Sequence, residues 1–275
     1  MSVMCDILEV SRGGYYAWRD RPISARATRE SELADQIRQV HVASRELYGS
    51  PRVTVELREK GVIVTEKTVA KVMRQEGIRA KTARKFRPRT TDSAHDFKPA
   101  ENVLNQDFSA DRIDTKWAVD ITYVPTDEGY LYLAVVIDLC SRRIVGWSMA
   151  DHMKAGLCMD ALEMAVLHRR PGAGVIHHSD RGSQYCCDAY QDRLEKLSFI
   201  PSMSRQGNCY DNAVTESFNG TYKQELVYQQ PNGRFRSRKD AKRMTFEYIE
   251  IFYNRQRRHS AIGYQSPESF EASRN

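Results

Sequence analysis

Apolar residues recur every three or four positions through the first eighty residues, and the period shortens to two in the middle of the chain. Leu33, Ile37 and Val40 share one face of SELADQIRQV and predict a first helix from about 28 to 44. In LYGSPRVTVELREKG, Ser50 is placed to cap a second helix, Pro51 suits its first turn, Val53 and Leu57 share a face, and Gly61 stops it. VTEKTVAKVMRQEG repeats the pattern, with Thr65 as cap, Val69, Val72 and Met73 as the buried stripe, and Gly77 as the stop. Two short helices around a tight connection predict a helix-turn-helix whose second helix exposes Lys67, Thr68, Lys71 and Arg74.

From about 113 the pattern is that of strands. TKWAVDITYV, GYLYLAVVID and RRIVGWSMA follow one another at short intervals, which predicts an antiparallel meander. A helix is expected at 153–168, a short strand in GVIHHSD, a helix at 184–196, and a strand from Phe199 to Ser202. A loop rich in Ser, Gly and Asn then leads into a long helix at 212–227. That order of elements is the order of a ribonuclease-H-like fold: a mixed five-stranded α/β sheet with flanking helices, behind an all-α helix-turn-helix region. Met244, Tyr248, Ile249 and Phe252 give a further helix, followed by the basic, aromatic-bearing stretch YNRQRRHSAIGYQSPESF. The expected domains are 1–78 (helical, with the helix-turn-helix), 79–112 (basic linker), 113–230 (ribonuclease-H-like core) and 231–275 (C-terminal extension of the core).

Charge sharpens this division. Residues 1–100 hold 20 Lys and Arg against 13 Asp and Glu, a net of +7, and the other 175 hold 22 against 23. An uneven basic balance of this kind suits a polyanion-binding lobe joined to a lobe with another task. Six basic residues fall between Arg79 and Arg89, among them Arg84, Lys85 and Arg87, with no acid between them. They read as a linker that follows a phosphate backbone. No run of eighteen apolar residues and no secretory leader is visible, so the expected place is the cytoplasm, at the nucleoid when DNA-bound, with no membrane partner. The six cysteines form no CxxC pair and read as free thiols.

Three acids carry the candidate chemistry. Asp120 stands in the middle of the first strand among apolar and aromatic neighbours, where a lone carboxylate is costly. Asp180 ends the fourth strand, and Glu216 lies one turn into the last helix of the core. In the fold just described the first and fourth strands are neighbours and that helix crosses them, so the three can meet. Gathered acids repel and need a counter-charge. Mg²⁺, with Mn²⁺ as a substitute, supplies it with carboxylate, water and phosphate ligands, and two such ions suit phosphodiester chemistry without a protein nucleophile.

The segments WAVDITY around Asp120, HSDRGSQY around Asp180 and SMSRQGNCYDNAVTESF around Glu216 closely resemble the catalytic domain of bacterial insertion-sequence transposases. These are the transposases related to retroviral integrases and encoded by the element's second reading frame. Thirty-five residues lie between Asp180 and Glu216, the interval of this Asp-Asp-Glu class. Lys223 also matches; seven residues past Glu216, it returns to within about 20° of the same helix face, roughly 10 Å along, where it would touch DNA. The C-terminal stretch and residues 41–80 resemble the rest of the family. The resemblance implies cleavage at the element's terminal inverted repeats and strand transfer into target DNA. It also implies a homo-oligomer on DNA, and an upstream-frame DNA-binding partner or fusion. A DNA-binding regulator with a dead core and a structure-selective nuclease are the competing readings.

Other residues are given plainer roles. His177 and His178 read as structural or substrate-facing, since no cysteine stands at ligand spacing. Asp138 reads as a turn residue, Asp211 and Asn212 as caps of the helix bearing Glu216, and the aromatics of 246–253 as core.

Overall fold

Helix ends decide much of the first eighty residues. The computed structural model describes residues 2–22, 24–81, 99–206 and 208–274, and divides into two compact units, Met1–Ala80 and Lys81–Asn275. The first unit is helical throughout: α1 (Ser2–Ile7), α2 (Arg12–Arg19), α3 (Ala25–Ala43), α4 (Ser50–Glu59) and α5 (Glu66–Gln75). The helix expected from 28 begins earlier, because Ser24 caps it by accepting from the Ala27 amide at 3.2 Å. Two short helices precede it that the apolar spacing does not announce, since α2 has no buried residue. Ser50 is the first residue of α4 and does not cap it; Gly49 holds the cap position without a side chain, and Pro51 sits in the first turn as expected. Thr65 does cap α5, accepting from the Thr68 amide at 3.3 Å. Ile37, Val53, Leu57, Val69 and Val72 are all at most 2% exposed, so α3, α4 and α5 close on one core.

In the second unit the two-residue period gives β1 (Lys116–Thr126), β2 (Gly129–Asp138) and β3 (Ile144–Ala150), then α6 (Ala155–Arg169) and β4 (Ile176–Ser179). After these come α7 (Ser183–Cys186), α8 (Asp188–Lys196), β5 (Ile200–Met203), α9 (Ala213–Glu225), α10 (Arg238–Phe246) and α11 (Pro267–Ala272). The sheet order is β3-β2-β1-β4-β5, antiparallel over the meander and parallel for β1/β4 and β4/β5. This is the five-stranded mixed sheet expected. The single helix expected at 184–196 is two, because Cys187 is extended (φ −68°, ψ 147°) and breaks it.

Alternation along β1 assigns its faces. Trp117 and Val119 join Leu157, Ala161, Ala165, Tyr190 and Phe199 in one core under α6 and α8. Gly146 of β3 lets α6 come close, since a Cβ there would lie 2.2 Å from the Ala161 carbonyl oxygen. Ala118 and Asp120 point to the opposite face, where α9 packs on β1, and α10 packs on β1 and β2. Beyond α10 the helix continues in π form over Glu247–Tyr253, burying Ile249 and, as expected of core aromatics, Tyr248, Phe252 and Tyr253, whereas Phe246 is exposed and is not core. Among the described residues no helix is long and apolar enough to cross a membrane.

Candidate active site

Strand register brings two of the acids together. β1 pairs with β4 as Lys116 with Ile176, Trp117 with His177 and Ala118 with His178, a constant offset of sixty residues. Asp120 and Asp180 keep that same offset, two steps beyond the last paired residues, so the carboxylates leave adjacent strands at one mouth of the sheet. Asp120 is half-buried; its Oδ1 accepts from the Ile121 amide at 2.9 Å and its Oδ2 from Asn219 Nδ2 at 2.8 Å. Burial pushes this carboxyl well above the usual carboxylate range, and Asp180 adds to the shift, with Glu216 contributing less. The Ile121 amide and the Lys223 ammonium work against it.

Asp180 lies one residue past β4, where its Oδ1 accepts from the Gly182 amide at 2.9 Å. Gly182 is the residue that fits beneath it, because a Cβ there would meet the Gln184 Oε1 at 2.8 Å and Asp180 Oδ1 at 3.0 Å. Glu216 is in the first turn of α9 and exposed, and its carboxyl is pushed up by partial burial alone. Among the described residues it makes no hydrogen bond, and no three His, Cys, Asp or Glu side chains already stand close enough to enclose a metal ion. Asp120 and Asp180 are neighbours, then, while Glu216 is within electrostatic reach of Asp120 and stands further out. The donors are all carboxylate oxygens, and the repulsion that Asp180 and Glu216 exert on Asp120 is what a hard divalent cation relieves.

Lys223, in the last turn of α9, holds its ammonium 4.1 Å from the centre of the Tyr123 ring, three residues along β1 from Asp120. Burial lowers its pKa, and the Asp120 charge opposes that. Asn219 was not singled out from sequence. It lies one turn after Glu216 on the same face, and that i, i+3 spacing is the one signal that marks it.

The supporting shell is dense. His178 is fully buried, with Nδ1 2.9 Å from Ser202 Oγ and Nε2 2.9 Å from the Asp211 carbonyl oxygen. A carbonyl only accepts, so the proton is on Nε2, and Ser202 donates to Nδ1 while accepting from the Leu104 amide at 3.0 Å. His177 meets the Tyr190 hydroxyl at 3.2 Å. Burial lowers these histidines to about 3 (His177) and about 4 (His178), so both are neutral and structural. Asp138 accepts from the Ser141 amide at 2.7 Å and the Asp114 amide at 2.7 Å, a turn role as expected.

The capping reading of Asp211 and Asn212 is corrected. Asn212 holds the cap position of α9 without a side-chain cap bond, and its Nδ2 faces the Val119 carbonyl at 3.5 Å. Asp211 is a buried hub that receives Arg205 Nη2 at 2.9 Å, Gln106 Nε2 at 2.7 Å and Asn102 Nδ2 at 2.9 Å. Arg205 holds its carboxyl far below the usual range. Arg181 Nε donates to the Ser204 carbonyl at 2.7 Å, which ties the turn after Asp180 to the loop before Asp211.

In the first unit Lys67, Thr68, Lys71 and Arg74 are all exposed on α5. Lys71 pairs with Glu30 of α3 at 3.1 Å, and the Thr68 hydroxyl meets that of Thr65 at 3.0 Å. Arg84, Lys85 and Arg87 lie outside the described residues.

Residues 110–209 and 198–267 match two families each described as an integrase core domain, and residues 28–86 match an HTH-like domain. Transposase InsF for insertion sequence IS3A of Escherichia coli strain K12 is 46% identical over 98% of this chain and 93% of its own length. The 31 kDa protein of insertion element IS600 of Shigella sonnei is 45% identical over 97% of each chain. Among solved structures, a chain of the simian T-cell lymphotropic virus intasome is similar at 15% identity and TM-score 0.48, over 84% of this chain and 73% of that one.

Proposed function

The chain belongs to the insertion-sequence transposases with an integrase core domain, and from that premise we propose that it cuts DNA at the ends of its element and joins them to target DNA at a site formed by Asp120, Asp180 and Glu216. The observation that carries this reading is that Asp120 and Asp180 keep the β1/β4 offset two steps beyond the last paired residues, with the Asp120 carboxyl raised by burial and by its neighbour. Mg²⁺, for which Mn²⁺ substitutes, would be held by the three carboxylates and would supply the positive charge that lets them ionise together beside a phosphodiester.

The protein's own groups do the rest by placement. Asn219 fixes Asp120 Oδ2, the Ile121 amide fixes Oδ1, and the Gly182 amide orients Asp180. Lys223, on the same face of α9, contacts the DNA strand next to the acids, and α5 with Lys67, Thr68, Lys71 and Arg74 engages the terminal inverted repeats. Arg84, Lys85 and Arg87 contact the phosphate backbone of the DNA. In the first step water bonds to phosphorus and the element's 3′-oxygen leaves with a proton. In the second the oxygen of that hydroxyl bonds to a target phosphorus, and a target oxygen leaves with the proton the hydroxyl gives up. One phosphodiester is exchanged for another, so joining needs no external energy source and no covalent protein intermediate. The protein acts in the bacterial cytoplasm as a homo-oligomer on DNA, with an upstream-frame partner or fusion adding a further DNA-binding element.

Glu216→Gln tests this directly, because it keeps shape and removes one metal-binding charge. Cleavage and joining of DNA bearing the element's ends should both fall by about a hundredfold or more, with DNA binding retained. Near-normal cleavage by that variant would remove Glu216 from the site.

A further inference from the structure

The face of α9 that points away from the acids is held as closely as the acids themselves. Glu216, Asn219 and Lys223 are spaced by three and four residues and form one stripe; Phe218, Tyr222 and Glu225, spaced by four and three, form another, offset by two or three residues. At about 100° per residue the mean directions of the two stripes differ by roughly 125°, so the second stripe is turned away from the side that carries Glu216. The second stripe is gripped by the C-terminal extension. Phe218 meets Tyr253 edge-on at 5.0 Å, Tyr222 meets Tyr248 at 5.5 Å, and the Tyr222 hydroxyl is 2.6 Å from that of Thr245. At the end of α9, Glu225 takes a two-pronged pair from Arg257, Nε to Oε2 and Nη2 to Oε1, both at 2.7 Å, and a third bond from the Tyr248 hydroxyl at 2.8 Å. The two side chains of this ion pair are only 7% and 10% exposed.

We propose that Arg257 is a positioning residue for the active site: through Glu225 it fixes where α9 lies along β1, and so where Glu216 meets Asp120 and Asp180. The reason lies in Glu216 itself. Its carboxylate has no hydrogen bond among the described residues, so its place follows from the place of its helix. A two-pronged charged pair is the contact that best fixes such a helix, because it sets both distance and angle. The same extension is pinned to the sheet at Asn254, whose side chain accepts from the Ile144 amide and donates to the Ile144 carbonyl, each at 3.0 Å. Arg257 therefore reaches α9 from a base anchored on β3. This rests on the metal-binding reading of the three acids.

The experiment compares divalent-ion affinity across variants of the full chain, by calorimetric titration with Mn²⁺, alongside circular dichroism for folding. Glu216→Gln and Arg257→Gln should each weaken Mn²⁺ binding by about tenfold or more, the range seen when a group supporting a metal ligand is removed. Arg257→Lys, which keeps the charge but loses the fork, should fall between them and the parent. Glu271→Gln is the control. Glu271 is a similarly buried partner of Arg143 and Arg169 in the same extension, at 2.9 and 2.8 Å, but its ion pairs do not involve α9. It should lower stability and leave Mn²⁺ affinity unchanged. Parent-like affinity in Arg257→Gln, with Glu216→Gln weakened, overturns the positioning role alone. Equal loss in Glu271→Gln overturns it too, since general loosening then explains the effect. Parent-like affinity in Glu216→Gln overturns the metal reading as well. If Arg257→Gln does not fold, Glu225→Gln is scored by the same criteria.

Discussion

His177 is enclosed in the core beside Tyr190, and burial holds it neutral by lowering its pKa from the usual value near 6.5 to about 3. Between those two values the unfolded chain binds a proton that the folded chain refuses. Stability from this group is therefore complete above pH 6.5 and declines as pH falls toward 3, by at most about 1.4 kcal/mol per pH unit. His177→Gln keeps a hydrogen-bonding group for Tyr190 and cannot titrate. The variant should melt with a shallower loss between pH 6.5 and 4 than the parent, and identical slopes would show that His177 is not the group being protonated. The same scale shows what was legible from sequence. Asp120 stood out because an acid between Val119 and Ile121 breaks an apolar strand. Asn219 did not, because an Asn within a helix has no pattern of its own until Asp120 is seen across from it. Asp211 was misread for a physical reason: an acid before a helix usually caps it, whereas here Arg205, six residues back, returns to bury it.

At the scale of elements, stops and starts were readable wherever a side chain or a glycine enforces them. Gly61 and Gly77 end α4 and α5 with φ of +81° and +67°, and Thr65 caps α5. Hidden were α1 and α2, with almost no buried stripe, and the break at Cys187, which no proline or glycine signals. α5 itself carries the next expectation. Its Lys71 is tied to Glu30 by an ion pair whose side chains are 53% and 37% exposed, and such pairs contribute little and are easily exchanged. If α5 enters the major groove, Lys71→Ala should weaken binding to the element's ends more than to random DNA. Equal weakening of both, with the salt dependence flattened by about one unit, would make Lys71 a phosphate contact only.

Across the whole molecule, charge and folding divide differently from one another. Of the +7 in the first hundred residues, +3 falls within 1–80 and +4 within 81–100, so most of the excess lies beyond the helical unit. The acids, by contrast, all belong to one unit, Lys81–Asn275, which has its own core around Trp117, Val119, Leu157 and Ala161. Two units with separate cores need not unfold together. Calorimetry of the intact chain should therefore show two transitions. A ligand that binds only one folded unit stabilises only that one, by about 2.7 kcal/mol at a hundred times its dissociation constant, or roughly 5–10 °C for a unit of this size. Mn²⁺ should raise one transition by that amount and leave the other in place, and Glu216→Gln should shrink the shift. A single transition, or two that rise together, would show that the units are thermodynamically one and that metal binding is felt by both.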